Sequence, residues 1–218
     1  MIGEILIKSL FYYVLFNSLY YLASGILFFC DYIKYLWSYK IQPNNLNIII
    51  QYKKCLSCVL KNTFLNTIIP MIILGWYDVM YDNKFVFIKC VYDIILMIIL
   101  TEFFFYLVHR MFHMPWLYMH FHKKHHQFTA PIGLSAVYTT TTDFVFGNIF
   151  PVYLPIWICF PHPITLKLWM IIITIDTVFF AHSGFKMADF HDKHHYSFNK
   201  NFGTGFYMDK LFGTEYSD

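Results

Sequence analysis

Ile94-Ile-Leu-Met-Ile-Ile-Leu-Thr101-Glu102-Phe-Phe-Phe-Tyr-Leu-Val-His109-Arg110-Met-Phe-His113 is the stretch on which the reading of this chain turns. Crossing a bilayer takes ~20 mostly apolar residues in a helix, and this run supplies them. The two histidines fall at its end, where such a helix would leave the apolar layer. Residues four apart are neighbours on a helix, so His109 and His113 present their imidazoles on one face. The same i, i+4 pair supplies two metal ligands in H-E-x-x-H helices.

Working outward, nine of the eleven histidines gather in similar places. His122-Lys-Lys-His125-His126 and His191-Asp-Lys-His194-His195 repeat one spacing, and His182 stands in Ala181-His182-Ser183-Gly184. Spacings of three and four again put imidazoles on one helical face. One H-x2-H-H is explained by a solvated basic face. Two of them, with H-x3-H, all beside apolar runs, point to metal. Nine nitrogens exceed what one four-ligand site uses, so two ions are expected, each with an open position. Imidazole suits zinc, copper, iron or nickel. A structural zinc site would close with four ligands and normally take cysteines. Iron fits the open positions if the chemistry is oxygen activation, with zinc as the misloaded alternative. Glu102, seven residues before His109 on the same face, is expected to orient an imidazole, and Asp143 and Asp192 are further candidates for that role. His120 points away from His122, and His162 lies in the turn Phe160-Pro161-His162-Pro163; neither is expected at the site.

The composition agrees with a membrane protein. Of 218 residues, 58% are hydrophobic, 22% aromatic and 13% charged, against about 25% charged in soluble domains. The mean hydropathy is +0.48. Five apolar stretches, roughly 5–30, 63–80, 86–108, 144–160 and 163–181, are candidate spans. The expected fold is all-α: an integral membrane bundle of about four to five helices, with a histidine-rich cap from 109–143 and 182–218 holding a dimetal site. Lysines and arginines lie in the segments between spans one and two, after span three and after span five. The positive-inside rule puts these segments, and the metal site, in the cytosol. The stretch from Ile5 to Cys30 reads as a retained anchor rather than a cleavable signal. A formal charge of +3, without a basic stripe, excludes nucleic-acid binding. The cysteines form no disulfide framework: Cys30, Cys90 and Cys159 lie in or beside apolar runs. Cys55-Leu-Ser-Cys58 lacks the second pair of a zinc ribbon.

Further motifs surround the histidines: Phe105-Tyr106-Leu107-Val108-His109-Arg110, His125-His126-Gln127-Phe128-Thr129-Ala130-Pro131-Ile132-Gly133-Leu134, His182-Ser183-Gly184-Phe185, Ala188-Asp189-Phe190-His191, and Tyr207-Met208-Asp209-Lys210-Leu211-Phe212-Gly213-Thr214. On these the sequence resembles the fatty acid hydroxylase and sterol desaturase superfamily of membrane-bound di-iron oxygenases, and within it the methylsterol monooxygenases. The resemblance covers residues 101–218. It divides the chain into membrane anchor helices, 1–100, and a catalytic region, 101–218, of one structural domain. It implies two iron ions held by His109, His113, His122, His125, His126, His182, His191, His194 and His195. It also implies oxidation of the C-4 methyl group of a 4-methylsterol in the endoplasmic reticulum membrane. Oxygen and NAD(P)H-derived electrons would be used, delivered by cytochrome b5 and its reductase. The alternatives are a hydroxylase or desaturase of fatty acyl or sphingolipid chains, and a catalytically silent metal-binding membrane protein. Two departures stand out. Val137-Tyr138-Thr139-Thr140-Thr141 occupies the place of the subgroup's Glu-Tyr-Ala-His-Pro, so Thr140 replaces a histidine, with Asp143 the nearby candidate to compensate. The link from Phe185 to Ala188 is also shorter than usual.

Overall fold

The computed structural model describes residues 1–42, 47–205 and 207–217. Its helices are α1 (Ile2–Tyr32), α2 (Ile48–Leu60), α3 (Ile68–Met80), α4 (Phe87–Phe112), α5 (Pro115–Leu117), α6 (Thr141–Asp143), α7 (Phe150–Cys159), α8 (Pro163–Ile175), α9 (Asp189–Ser197) and α10 (Met208–Leu211). Among the described residues there is no strand, only one antiparallel bridge between Lys40 and Phe185.

Five helical stretches are long and apolar enough to cross a membrane: Ile2–Tyr32, Ile48–Met80, Phe87–Phe112, Thr141–Cys159 and Pro163–Ala181. The fold is the expected all-helical membrane bundle. The second stretch starts earlier than expected, because α2 runs into α3 through a π turn at Lys61–Leu65. Thirty-three residues of helix span about 50 Å at 1.5 Å each, well beyond the ~30 Å apolar layer. The early part of α2 therefore packs against the turn Gly133–Val137. Asn62 locks that contact, its Nδ2 donating to the carbonyls of Val137 (2.8 Å) and Thr139 (3.1 Å).

Large apolar side chains such as Leu65, Ile69, Phe87 and Ile88 face outward, as a lipid-facing surface requires. The interior has two apolar clusters. Tyr12, Met71, Leu74, Met97, Ile156, Leu166 and Trp169 join α1, α3, α4, α7 and α8, so packing is continuous across position 100. Tyr20, Leu27, Val59, Ile132, Val137, Phe144 and Val178 form the second, below the histidines. At the far end Asp78 receives the Tyr12 hydroxyl (2.9 Å) and pairs with Lys8 (3.0 Å) and Lys167 (2.8 Å), binding α1, α3 and α8 together.

Candidate metal centre

The histidine end is built where helices stop. His109 lies in the last turn of α4 and His113 caps it. His122 closes a π turn, Tyr118–His122; His125 and His126 open a 3-10 turn. His182 follows the π turn Asp176–Ala181 that ends the last span. His191, His194 and His195 lie on α9. These segments bring all nine into two groups: His109, His113, His122, His126 and His194, and His125, His182, His191 and His195. Within each group one ring nitrogen per residue lies within 4.8 Å of all the others.

The grouping corrects the expectation that each H-x2-H-H motif presents one face. His122 and His126 enter the first group and His125 the second; His191 and His195 enter the second and His194 the first. Partners four apart share a group, while adjacent residues, ~100° apart around a helix, straddle the two. The doublets His125-His126 and His194-His195 thus join the groups, and rings meet across them, as at His126 and His195 (centroids 4.8 Å apart).

The oxygen partners of the rings indicate which nitrogens face one another. A carbonyl oxygen only accepts, so Nδ1 of His109 donates to Phe202 O (2.6 Å), Nδ1 of His182 to Thr177 O (2.9 Å) and Nδ1 of His194 to Lys200 O (2.7 Å). Nδ1 of His122 donates to the Asp143 carboxylate (2.8 Å), which also receives the Thr139 hydroxyl. In the neutral form that binds metal an imidazole has one N–H, which leaves Nε2 of His109 and of His122 as lone pairs. They face each other at 3.1 Å. The Nε2 of His126 is 3.1 Å from His122, 3.2 Å from His113 and 3.2 Å from His194. Lone pairs converging at this distance call for a cation. Two nitrogens ~2.1 Å from one ion, at about 90–110° to each other, lie ~3.0–3.4 Å apart. Nε2 of His191 and both ring nitrogens of His195 are buried without any partner. The residues fit a pair of metal ions.

Burial sets the charge state. It pushes the imidazoles of His113, His125, His126, His191 and His195 well below the ordinary histidine range. It lowers His182 to about 4 and His194 to about 3. All are neutral at physiological pH, the form that binds metal.

The acidic candidates divide. Asp143 holds His122. Thr140 contributes no nitrogen: it caps α6 by accepting from Asp143 N (3.2 Å) and donates to Phe121 O (3.0 Å). Glu102 reaches no imidazole. It shares the face of His109 but lies two turns away, ~10 Å along the axis. There it accepts from Thr204 N (2.6 Å), the Thr204 hydroxyl (2.6 Å) and Met208 N (3.1 Å). It anchors the loop that carries Phe202 O to His109. Gly203 passes so close that a Cβ would sit 2.6 Å from Glu102 Oε1. Asp192 likewise touches no ligand ring. It accepts from Gln42 Nε2 (2.7 Å), and burial raises its carboxyl to about 6. His120 bonds the Trp116 carbonyl and His162 caps α8.

A buttress went unseen in the sequence. Lys40 forms a fully buried ion pair with Asp31 (2.5 Å) and donates to Ser183 O (2.8 Å), beside His182. Ile41 N donates to Gly184 O (3.0 Å). Gly184 has φ +67° and lies against Pro131 O, a position no side chain fits.

An apolar cavity runs from the membrane helices to the centre. Phe16, Met71, Leu166, Trp169 and Phe180 line it, together with His182 and His191 of the centre. Residues of two π turns, Phe144–Ile149 and Asp176–Ala181, also line it, a device common at functional sites.

A family model described as fatty acid hydroxylase matches residues 94–214, more than half of the chain and all nine clustered histidines. The chain belongs to the fatty acid hydroxylase family. It is 37% identical to very-long-chain aldehyde decarbonylase GL1-11 of Oryza sativa subsp. indica, over 54% of this chain and 50% of that protein. Methylsterol monooxygenase 2-2 of Arabidopsis thaliana is 29% identical, over 93% of this chain and 84% of that protein. Fatty acid hydroxylase ahd1 of Mycosarcoma maydis is 29% identical, over 83% and 50%. The chain spans about half the length of the first of these relatives. No solved structure matches it. Within the fatty acid hydroxylase family, then, this is a multi-pass helical membrane protein whose histidine clusters are arranged to hold metal.

Proposed function

We propose that the chain is a di-iron lipid oxygenase of the endoplasmic reticulum membrane, acting on the C-4 methyl group of a 4-methylsterol. The observation that carries the metal reading is the facing pair of bare lone pairs on His109 and His122. The sterol reading is supported by the likeness to methylsterol monooxygenase 2-2 along 93% of the chain. Two iron ions in the histidine groups would supply activation of dioxygen. The protein's own work is preparation. Phe202 O, Lys200 O, Thr177 O and Asp143 fix four rings with Nε2 inward. Burial keeps the imidazoles neutral, and the mainly apolar cavity offers a lipid a path to His182 and His191. The nine histidines are the proposed ligands, the centre faces the cytosol, and cytochrome b5 with its reductase is the proposed electron source.

A second reading, hydroxylation of an acyl chain, is favoured by the likeness to fatty acid hydroxylase ahd1 over 83% of the chain. Expression under oxygen-18 gas, with lipid mass spectrometry against His194→Ala, separates them. Label in 4-hydroxymethyl or 4-carboxy sterols is the expected outcome. Label in acyl chains would move the assignment, and purified chain with no bound metal would end the oxygenase reading.

A further inference from the structure

The five spanning stretches contain seven acidic residues: Glu4, Asp31, Asp78, Asp93, Glu102, Asp143 and Asp176. Six have partners. Glu4 meets the chain's own amino terminus, Asp31 meets Lys40, Asp78 meets Lys8 and Lys167, and Asp93 meets Lys89. Glu102 is filled by backbone N–H groups and Asp143 by His122. Asp176 alone has no hydrogen bond or ion pair among the described residues, and it lines the cavity that His182 and His191 also line. It is not among the groups whose atoms converge as metal ligands.

An acid inside a membrane span is costly and marks a functional position by default. The placement of Asp176 is also particular. It opens the π turn that delivers His182 six residues later, on the order of 10 Å along the helix axis. The Tyr153 hydroxyl and the Trp169 indole N–H are buried without partners in the same cavity, and so is the hydroxyl of Thr101, which is 3% exposed. It sits on α4, eight residues before His109. Asp176 and Thr101 thus bring unpaired polar groups from two helices to the lining of a mainly apolar cavity. Polar groups buried this way are ordinarily hydrogen-bonded, so the missing partner belongs to what enters.

We infer that Asp176, with Thr101, is the site that recognises a hydroxyl group on the lipid, holding it in the cavity that His182 and His191 also line. A hydroxyl suits both orphans because it donates and accepts at once. An unsubstituted hydrocarbon satisfies neither group and is disfavoured. Asp176 therefore selects a lipid carrying its hydroxyl near the carbon to be oxidised. The inference rests on the oxygenase reading for its meaning, but its test does not.

The test uses the metal-loaded full chain in lipid nanodiscs, offered equimolar pairs, with the bound ratio read by mass spectrometry. One pair is a 4,4-dimethylsterol and its 3-deoxy analogue. The other is a 2-hydroxylated very-long-chain fatty acid and the unsubstituted acid. The native chain should prefer the hydroxylated member of one pair by about 10-fold or more, the discrimination a hydrogen bond to a buried polar group supports. The pair that responds identifies the source of the hydroxyl. Asp176→Leu should bring the ratio to about one with metal content unchanged, since an unpaired group has been removed. A native chain without preference in either pair, or a preference that survives Asp176→Leu, overturns the inference. Should that variant fail to insert, Asp176→Asn decides: a reduced ratio supports the inference and an unchanged one overturns it. Oxygen-18 incorporation is scored on the same samples. Lost discrimination with no oxidised lipid from the native chain sinks the oxygenase reading alone; oxidised lipid with discrimination unchanged in the variant sinks the Asp176 assignment alone.

Discussion

The five-histidine and four-histidine groups use the same motifs in opposite senses, yet the protein holds them differently. In the first, His109, His122 and His194 each have Nδ1 tied to an oxygen outside the group, and two rings come from the end of the long helix α4. Among the described residues of the second, only His182 has such a tie, to Thr177 O, while His195 has no partner on either nitrogen; in the first, His126 also lacks one at Nδ1. Groups that orient a ligand's other nitrogen fix its tautomer and raise its basicity. The first group is therefore organised before an ion arrives, and the second relies on the ion to set its rings. The four-histidine group, open by one nitrogen and beside the cavity, is expected to be the more labile and the one nearer substrate.

The largest effect that would test this contrast comes from removing a ligand on either side. His194→Ala and His195→Ala should each reduce oxidised product to background and lower metal content from about two ions to about one. Chelation of the unaltered chain should empty one position first, and His195→Ala should abolish that fast phase. A single uniform phase would erase the difference between the groups. Next comes the buttress. Lys40→Met leaves Asp31 as an uncompensated buried charge, a loss of about 3–5 kcal/mol. It should lower the melting temperature in detergent and speed metal loss from the His182 side; an unchanged melting temperature would refute the buttress. Smaller still, Asp143→Asn should weaken metal retention or activity by about 10–100-fold, confined to the slow chelation phase, because its contact is with His122.

What the sequence displayed, and what it hid, follows from how each feature is encoded. Apolar runs and histidine spacing are local, so the five spans and the nine clustered residues could be read directly. The split of His125 from His126 depends on their ~100° separation and on where each helix ends, which only packing determines. Glu102 shows why periodicity misleads: two turns restore the face but not the height, and its partners are backbone N–H groups of a loop a hundred residues on. The ties to Phe202 O, Lys200 O and Thr177 O were invisible because a carbonyl has no residue signature. Lys40 read as one more positive-inside lysine, although its charge is buried against Asp31. Thr140 was legible as a departure, but its use as a helix cap, rather than a ligand substitute, was not.

The finest test of the contrast is acid. Imidazoles whose folded values lie below the ordinary ~6.5 bind fewer protons folded than unfolded. Stability is then fully present above pH ~6.5 and falls as pH drops toward the folded values, about 4 for His182 and about 3 for His194. Asp192, raised to about 6, works the other way: protonated when folded and ionised when unfolded, it favours the fold as pH falls through the same window. Asp192 stands against many imidazoles, so the metal-free chain should melt at steadily lower temperature from pH 7 to pH 5. Rings already neutral in the fold release few protons to an ion at pH 5, so the gap between metal-loaded and metal-free melting should change little from pH 7 to pH 5 and close only as pH falls toward the folded values. A metal-free melting temperature that rose on acidification would mean that the clustered imidazoles accept protons in place, as a loosely packed, hydrated cluster would. The pre-organisation of the five-histidine group, which depends on neutral rings donating through Nδ1 alone, would then fail with it.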